Sequence, residues 1–425
     1  MNPELLILIA MMAIFAISVF IGKFPIGISL AFASVLGALL SGFGVPMRHL
    51  VEGGISYLDP ILIIVSAMIF MEVIRETGAL GEASRLIVHY LHPYPFMFLV
   101  AVTIFIMLPG MITGLSTAAV LTTGAVVAPA LIAYGIPKVK TGSIVAMAAL
   151  YGMIAPPINV PAMIIGGGVD MPYIGFDLPL LFATLPLAIF TTFFIAKPHT
   201  TRGSRTEIGA KFTELSSDLN RLRLFLPVLV LAVLMAVSRI FPNDYTSLGL
   251  PLIFAISSLV AYGSGRPFNY WTVAQNAVRK AMPVMGILVG IGMFIQIMSL
   301  SGVRGFLIVN IVQIPSYWLY LAIAVSLPLF GAISSYGASY VLGVPFLLAL
   351  LGRNEIVVAS AITLIASLGD MMPPTALAGI FAAQVVDEPN YFKILKVCVP
   401  YIILTAVYGV AMILGANWLA TFLVW

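Results

Sequence analysis

Ten apolar runs, each long enough to cross a hydrocarbon core about 30 Å thick, dominate this 425-residue chain. They lie at about 4–22, 27–42, 57–74, 142–168, 177–196, 225–241, 246–263, 281–300, 356–383 and 395–424. With 61% hydrophobic and only 8% charged residues, too little charge remains to clothe a water-soluble body of this size. Lipid must face most of the surface, so the chain is an all-α polytopic membrane protein. The first run lacks a basic leader and a small-residue cleavage site, and is expected to be retained as a span. The 28 prolines and 37 glycines fall mainly inside the apolar runs. In a bilayer such breaks survive only where protein or a water-filled cavity satisfies the freed backbone groups, which suggests a transport pathway.

Two further stretches, 95–134 and 315–351, each consist of two apolar pieces meeting at an uncharged Gly/Ser/Thr-rich centre. The centres run Pro109-Gly110-Met111-Ile112-Thr113-Gly114-Leu115-Ser116-Thr117 and Gly331-Ala332-Ile333-Ser334-Ser335-Tyr336-Gly337. Each stretch is either a pair of spans or a re-entrant hairpin, and the lack of charge at the centres favours re-entry. With both re-entrant and the basic loop at 197–224 cytoplasmic, sixteen Lys and Arg residues fall inside and only Arg48, Arg239, Arg304 and Arg353 outside, of the 20 in the chain. This bias sets the orientation and puts both termini on the periplasmic side. The segments 79–92 and 303–314 scatter polar residues on an apolar background, as helices lying in the interface do.

The chain repeats itself. Gly152-Met153-Ile154-Ala155-Pro156-Pro157 returns as Gly369-Asp370-Met371-Met372-Pro373-Pro374, at an offset of 373 − 156 = 217, and Gly135 and Gly352 share that offset. Each half contributes an odd number of crossings, so the halves are inverted. The predicted architecture is two inverted repeats of five spans and one hairpin each. The first, 1–196, holds scaffold spans to residue 75, the interfacial helix, the hairpin, a broken helix at 142–168 and a span at 177–196. The second, 225–425, holds scaffold spans to residue 300, its interfacial helix and hairpin, a broken helix at 356–383 and a span at 395–424.

Each Pro-Pro pair should open its helix. The freed carbonyls then suit a cation, and the N-terminus of the following half-helix suits an anionic group. At the hairpin centres Thr113, Ser116, Thr117, Ser334, Ser335 and Ser339 supply hydroxyl oxygens, which serve either a hard monovalent cation or close helix packing. Asp370 is the acidic side chain set inside a helix break, where it either ligates a cation or carries a proton. Asn159 follows the first Pro-Pro pair and is a candidate to hold substrate, as is Thr375 after the second. Glu72 and Arg75, three residues apart, are expected to pair. His89 and His92 lack a third ligand nearby, and the single cysteine, Cys398, builds neither a disulfide nor a thiolate site. No phosphate loop and no HExxH is present, so neither an ATP-driven pump nor a metalloprotease is expected, and no cofactor or metal beyond a coupling ion is called for.

A hairpin followed by a Gly-x-x-x-Pro-Pro broken helix in each half resembles the ion transporter superfamily. Within it the chain is most similar to the large membrane subunit of tripartite ATP-independent periplasmic (TRAP) transporters. Leu108 to Pro129 and Gly152 to Ala162, with their repeats Leu327 to Pro345 and Gly369 to Gly379, carry the resemblance, which extends over nearly the whole chain. Neither tip has the Ser-Asn-Thr of the divalent-anion/sodium symporter branch.

The resemblance implies an elevator mechanism in a bacterial inner membrane, with sodium driving an organic acid, a small membrane subunit and a periplasmic substrate-binding protein. By position it implies a sodium site where Gly114, Ser116 and Thr117, beside Thr113, meet Gly152 and Pro156. A second would lie where Ser334, Ser335 and Gly337 meet Gly369, Asp370 and Pro373. Substrate would sit between the tips, at Ser116 and Ser335, with Asn159 and Thr375 nearby. A stand-alone symporter, coupled to sodium or protons, an anion channel and a non-transporting assembly subunit are the alternatives.

Overall fold

The computed structural model describes residues 2–197, 221–240 and 248–424. Of the loop expected at 197–224, residues 198–220, with Arg202, Arg205 and Lys211, lie outside them. The described residues are helical, without strands. In chain order the first half holds α1 (Pro3–Phe20), α2 (Ile26–Leu40), α3 (Met47–Ile55), α4 (Leu58–Thr77) and α5 (Ala79–Leu91). Next come α6 (Pro95–Thr113), α7 (Ser116–Ala119), a π-helical turn (Val120–Gly124), α8 (Ala125–Ala133), α9 (Lys138–Ile154), α10 (Val160–Gly168) and α11 (Asp177–Ala196). The second half holds α12 (Arg221–Ile240), α13 (Leu250–Ala261), α14 (Tyr270–Leu300), α15 (Val303–Val312), α16 (Ser316–Gly331) and α17 (Ser335–Ala338). A second π-helical turn (Ser339–Gly343), α18 (Val344–Ala349), α19 (Glu355–Ser367), a 3-10 turn (Leu368–Met371), α20 (Leu377–Val385), α21 (Tyr391–Leu414) and α22 (Ala416–Leu423) complete the chain.

Six of the described helices are long and apolar enough to cross a membrane, and α3 with α4, bent by 42°, makes a seventh span if the pair is taken as one. The chain is therefore an integral membrane protein. Both arms of the first hairpin, Pro95–Thr113 and Ser116–Ala133, pass that length test. The span expected at 281–300 extends back to Tyr270, because the helix continues through Arg279 and Lys280. At 31 residues it is about 46 Å long, longer than the hydrocarbon core.

The two segments expected at the interface are both helical, and each begins at a glycine in the left-handed region, Gly78 (φ 87°) and Gly302 (φ 76°). There a side chain would be strained, so these glycines let a scaffold helix turn sharply into the next element. Helices α2 and α3 pack closely on α14, where Gly27 meets Gly290 and Gly53 meets Gly292 backbone to backbone. The other dense core is formed by α9 and α19, whose residues from Thr141 to Ile154 and from Val357 to Ser367 are all buried. The two hairpins and the two helix breaks are packed around these helices.

Candidate functional site

Both Pro-Pro pairs break their helices. Helix α9 stops at Ile154 and Ala155 is extended (ψ 150°), as the residue before a proline prefers. Helix α19 tightens into the 3-10 turn, after which Met372 is extended before Pro373. The Pro156–Pro157 and Pro373–Pro374 bonds are both cis. Each break is stitched to the end of a hairpin arm: the Ile158 N–H donates to the Met111 carbonyl (3.2 Å), and the Thr375 N–H to that of Ala332 (3.3 Å). Thr375 Oγ1 donates to the same carbonyl at 2.7 Å.

The hairpin tips converge on Asp370, which is 6% exposed. Ser116 Oγ, from the first tip, donates to Oδ2 at 2.6 Å, and Ser335 Oγ, from the second, to Oδ1 at 2.5 Å. The Tyr336 hydroxyl donates to the Gly114 carbonyl at 2.9 Å, tying tip to tip. One carboxyl from the second helix break is therefore held by a hydroxyl from each hairpin. The carboxyl and the two hydroxyls are an all-oxygen set, the donor chemistry hard cations prefer.

Asp370, Ser116, Ser335 and Tyr336 line a cavity of about 560 Å³, together with Thr117, Ser334 and Thr375. Met68 and Met71 of α4 and Pro283 and Ile287 of α14 line the same cavity. Glu72, Arg75 and Lys280 line it too. Glu72 accepts from Lys280 Nζ at 2.6 Å and pairs with Arg75 Nη2 at 2.9 Å, so one nearly buried carboxylate holds two cations. The expected Glu72–Arg75 pair is present. Lys280, 208 residues from Glu72, is an addition that no local pattern in the sequence signals.

The remaining expected residues occupy other places. Thr113 is buried and donates to the Pro109 carbonyl (2.6 Å) within α6. Ser334 caps α17, accepting from the Gly337 N–H at 3.1 Å. Gly152 and Gly369 serve close packing: a Cβ on Gly152 would lie 2.6 Å from the Met107 carbonyl oxygen, and one on Gly369 2.0 Å from the Gly331 carbonyl carbon. Pro156 is buried, whereas Pro373 is exposed.

Asn159 does not line the cavity. It is fully buried; its Oδ1 caps α10 by accepting from the Ala162 N–H (2.9 Å), and its Nδ2 donates to the Ile154 carbonyl and to Thr363 Oγ1. Asn159→Ala is expected to lower stability by about 0.5–2 kcal/mol, the range for loss of an N-cap, and to leave the KM for cargo unchanged. Thermal unfolding and uptake kinetics on one preparation check this, and a raised KM would bring Asn159 into the cargo path. The residues that sequence reasoning missed are Tyr336 and Lys280. An aromatic residue within a tip otherwise built of small residues was the available signal for Tyr336.

Comparisons with known proteins bear on the family and the fold. Residues 8–418 match the family described as "Tripartite ATP-independent periplasmic transporter, DctM component". The chain belongs to the DctM family. Its members are the large membrane components of tripartite secondary transporters that work with a small membrane subunit and a periplasmic binding protein. Among solved structures, the crystal structure of the Alcanivorax borkumensis YdaH transporter, reported to have an unusual topology, is similar at a TM-score of 0.62 and 14% identity, over 99% of each chain. At that identity the likeness concerns the fold alone. No curated protein sequence matches the chain.

Proposed function

We propose that this DctM-family subunit carries an organic acid coupled to sodium, by an elevator movement of its hairpins and broken helices against α1–α4 and α12–α14. The observation that carries the reading is the convergence of both hairpin tips on Asp370 at the wall of the central cavity. Tips at a membrane surface would be solvated. Here Thr113, Ser116 and Ser335 are buried and the tips bond to each other, which supports hairpins that enter from opposite sides and stop midway. That in turn supports inverted repeats over 1–196 and 225–425.

Sodium would bind at the tips, within reach of Ser116, Thr117, Ser334, Ser335 and Asp370. Cargo would take the adjoining space by Thr375 and the N-terminus of α20, whose N-cap position is Ala376, with no side-chain cap. The protein would sit in the bacterial inner membrane with both termini periplasmic, beside a small membrane subunit and a periplasmic binding protein.

A second reading is favoured by one observation. Asp370 has hydroxyl donors but no ion-paired basic side chain among the described residues. A carboxyl so placed suits a proton carrier as well as a sodium ligand. Uptake of labelled organic acids into proteoliposomes, with sodium replaced by choline at fixed pH, separates the two. The first reading expects uptake to collapse without sodium. Uptake that follows only an imposed pH gradient would replace it with the second. Uptake by this chain alone would mark a self-sufficient symporter, and uptake only after adding the two partners a tripartite one.

A further inference from the structure

A second cavity, of about 830 Å³, shares no lining residue with the one at Asp370. Tyr57, Asp59, Asp170, Gln296, Arg304 and Tyr340 bring its polar chemistry. Arg304, on α15, donates through Nη2 to the Gly168 carbonyl at the end of α10, and through Nη1 to Ser299 Oγ at 3.5 Å. It is half-buried and has no acidic partner among the described residues. A guanidinium has five N–H donors, so most of its donor capacity is unused. Tyr340 is 2% exposed, and its hydroxyl has no hydrogen-bond partner among the described residues. An unpartnered buried hydroxyl is destabilising and rare. It lies on the π-helical turn Ser339–Gly343 of the second hairpin, a geometry that recurs at functional sites.

Two donors short of acceptors in one cavity ask for a ligand rich in acceptor oxygens. A carboxylate satisfies both, through a forked contact to the guanidinium and one hydrogen bond from the phenol. Asp59 and Asp170, both exposed, line the same cavity. Their charge disfavours a second anionic group, so the ligand class is a single carboxylate on an otherwise neutral or cationic body.

We propose that Arg304 and Tyr340 form a carboxylate-binding subsite, separate from Asp370, that holds cargo at a second station on its route. The role as a station rests on the transport reading above, whereas the binding itself does not.

The test is thermal unfolding of the purified full chain in neutral detergent, titrated with acetate against chloride at constant ionic strength. Wild type is expected to show saturable, acetate-specific stabilisation. Tyr340→Phe and Arg304→Gln are each expected to raise the half-saturating acetate concentration on the order of tenfold or more, as loss of a charge-assisted hydrogen bond does. Without acetate, Tyr340→Phe should unfold at or above the wild-type temperature, because it removes an unpartnered hydroxyl. This variant keeps the test decisive even where Arg304→Gln folds poorly. Absence of a saturable response in wild type or an unchanged response in Tyr340→Phe would each overturn the proposal.

Discussion

Replacing Asp370 with alanine should abolish transport while leaving a folded protein. Its carboxyl is the acceptor for Ser116 of one hairpin and Ser335 of the other. Hydrogen bonds to a charged acceptor contribute about 1.5–3 kcal/mol each, so losing both removes about 3–6 kcal/mol of the coupling that holds the tips together. At 1.4 kcal/mol per factor of ten, initial uptake rates into proteoliposomes should fall by roughly 100-fold or more. Asp370→Asn is the sharper variant. A carboxamide still offers an oxygen to one serine and an N–H to the other, so the tips stay bridged, but it neither carries a proton nor neutralises a cation. A sodium ligand at this position expects Asp370→Asn to lose most sodium-driven uptake. A proton carrier expects it to exchange cargo at a rate that no longer depends on pH. If Asp370→Asn keeps the wild-type sodium dependence and the wild-type pH profile, the carboxyl only fastens the tips, and neither coupling role survives.

The elements of this fold were legible because the bilayer enforces them. Within 95–134 lie the helical stretches Pro95–Thr113 and Ser116–Ala133, and across 142–168 lie Lys138–Ile154 and Val160–Gly168. Boundaries failed where charge interrupted an apolar run without ending the helix. Arg279 and Lys280 hid the first turns of α14, whose register survives because a long basic side chain can leave the apolar face to find Glu72. The family too was legible from the Gly-x-x-x-Pro-Pro motifs, and the match over 8–418 shows it.

The offset that aligns the two helix breaks does not align the two hairpin tips, and the reason is a shift of register. The helix breaks repeat at an offset of 217, which sets Ser116 against Ile333. In the structure Ser116 and Ser335 are the equivalent pair, at 335 − 116 = 219, and the π-helical turns ending at Gly124 and Gly343 keep that offset. The difference is absorbed between tip and break: Gly124 and Gly135 are 11 residues apart, whereas Gly343 and Gly352 are 9 apart. A repeat found in one motif thus fixes which elements correspond, but not which residues meet. Asn159 shows a different limit. Its amide suits a ligand as well as a helix cap, and only the contacts with Ala162, Ile154 and Thr363 show that the structure already uses it.

Gly369→Ala should be one of the most damaging single methyl groups among the described residues. A Cβ there would lie 2.0 Å from the Gly331 carbonyl carbon and 2.4 Å from the Ala332 nitrogen, both backbone atoms that no rotamer change can move aside. The end of α16 would have to retreat from the 3-10 turn by more than 1 Å to restore ordinary contact. The Thr375 bonds to the Ala332 carbonyl lie on that contact, and Ser335 on Asp370 is three residues further on. Overpacking of this kind costs about 1–3 kcal/mol and more where backbone must shift, and the site geometry is disturbed at the same time. Gly369→Ala should therefore lower the unfolding temperature and remove uptake together, and Gly152→Ala, 2.6 Å from the Met107 carbonyl oxygen, should do the same in the first half. Gly305→Ala is the control. It sits inside α15 with open space around its Cβ position, so it should be neutral, or stabilising by about 0.4–1 kcal/mol. Unfolding curves and uptake for the three variants decide the matter: wild-type stability in Gly369→Ala would mean that the break and the hairpin do not touch as described, and with that contact would go the argument that Asp370 is held between the tips.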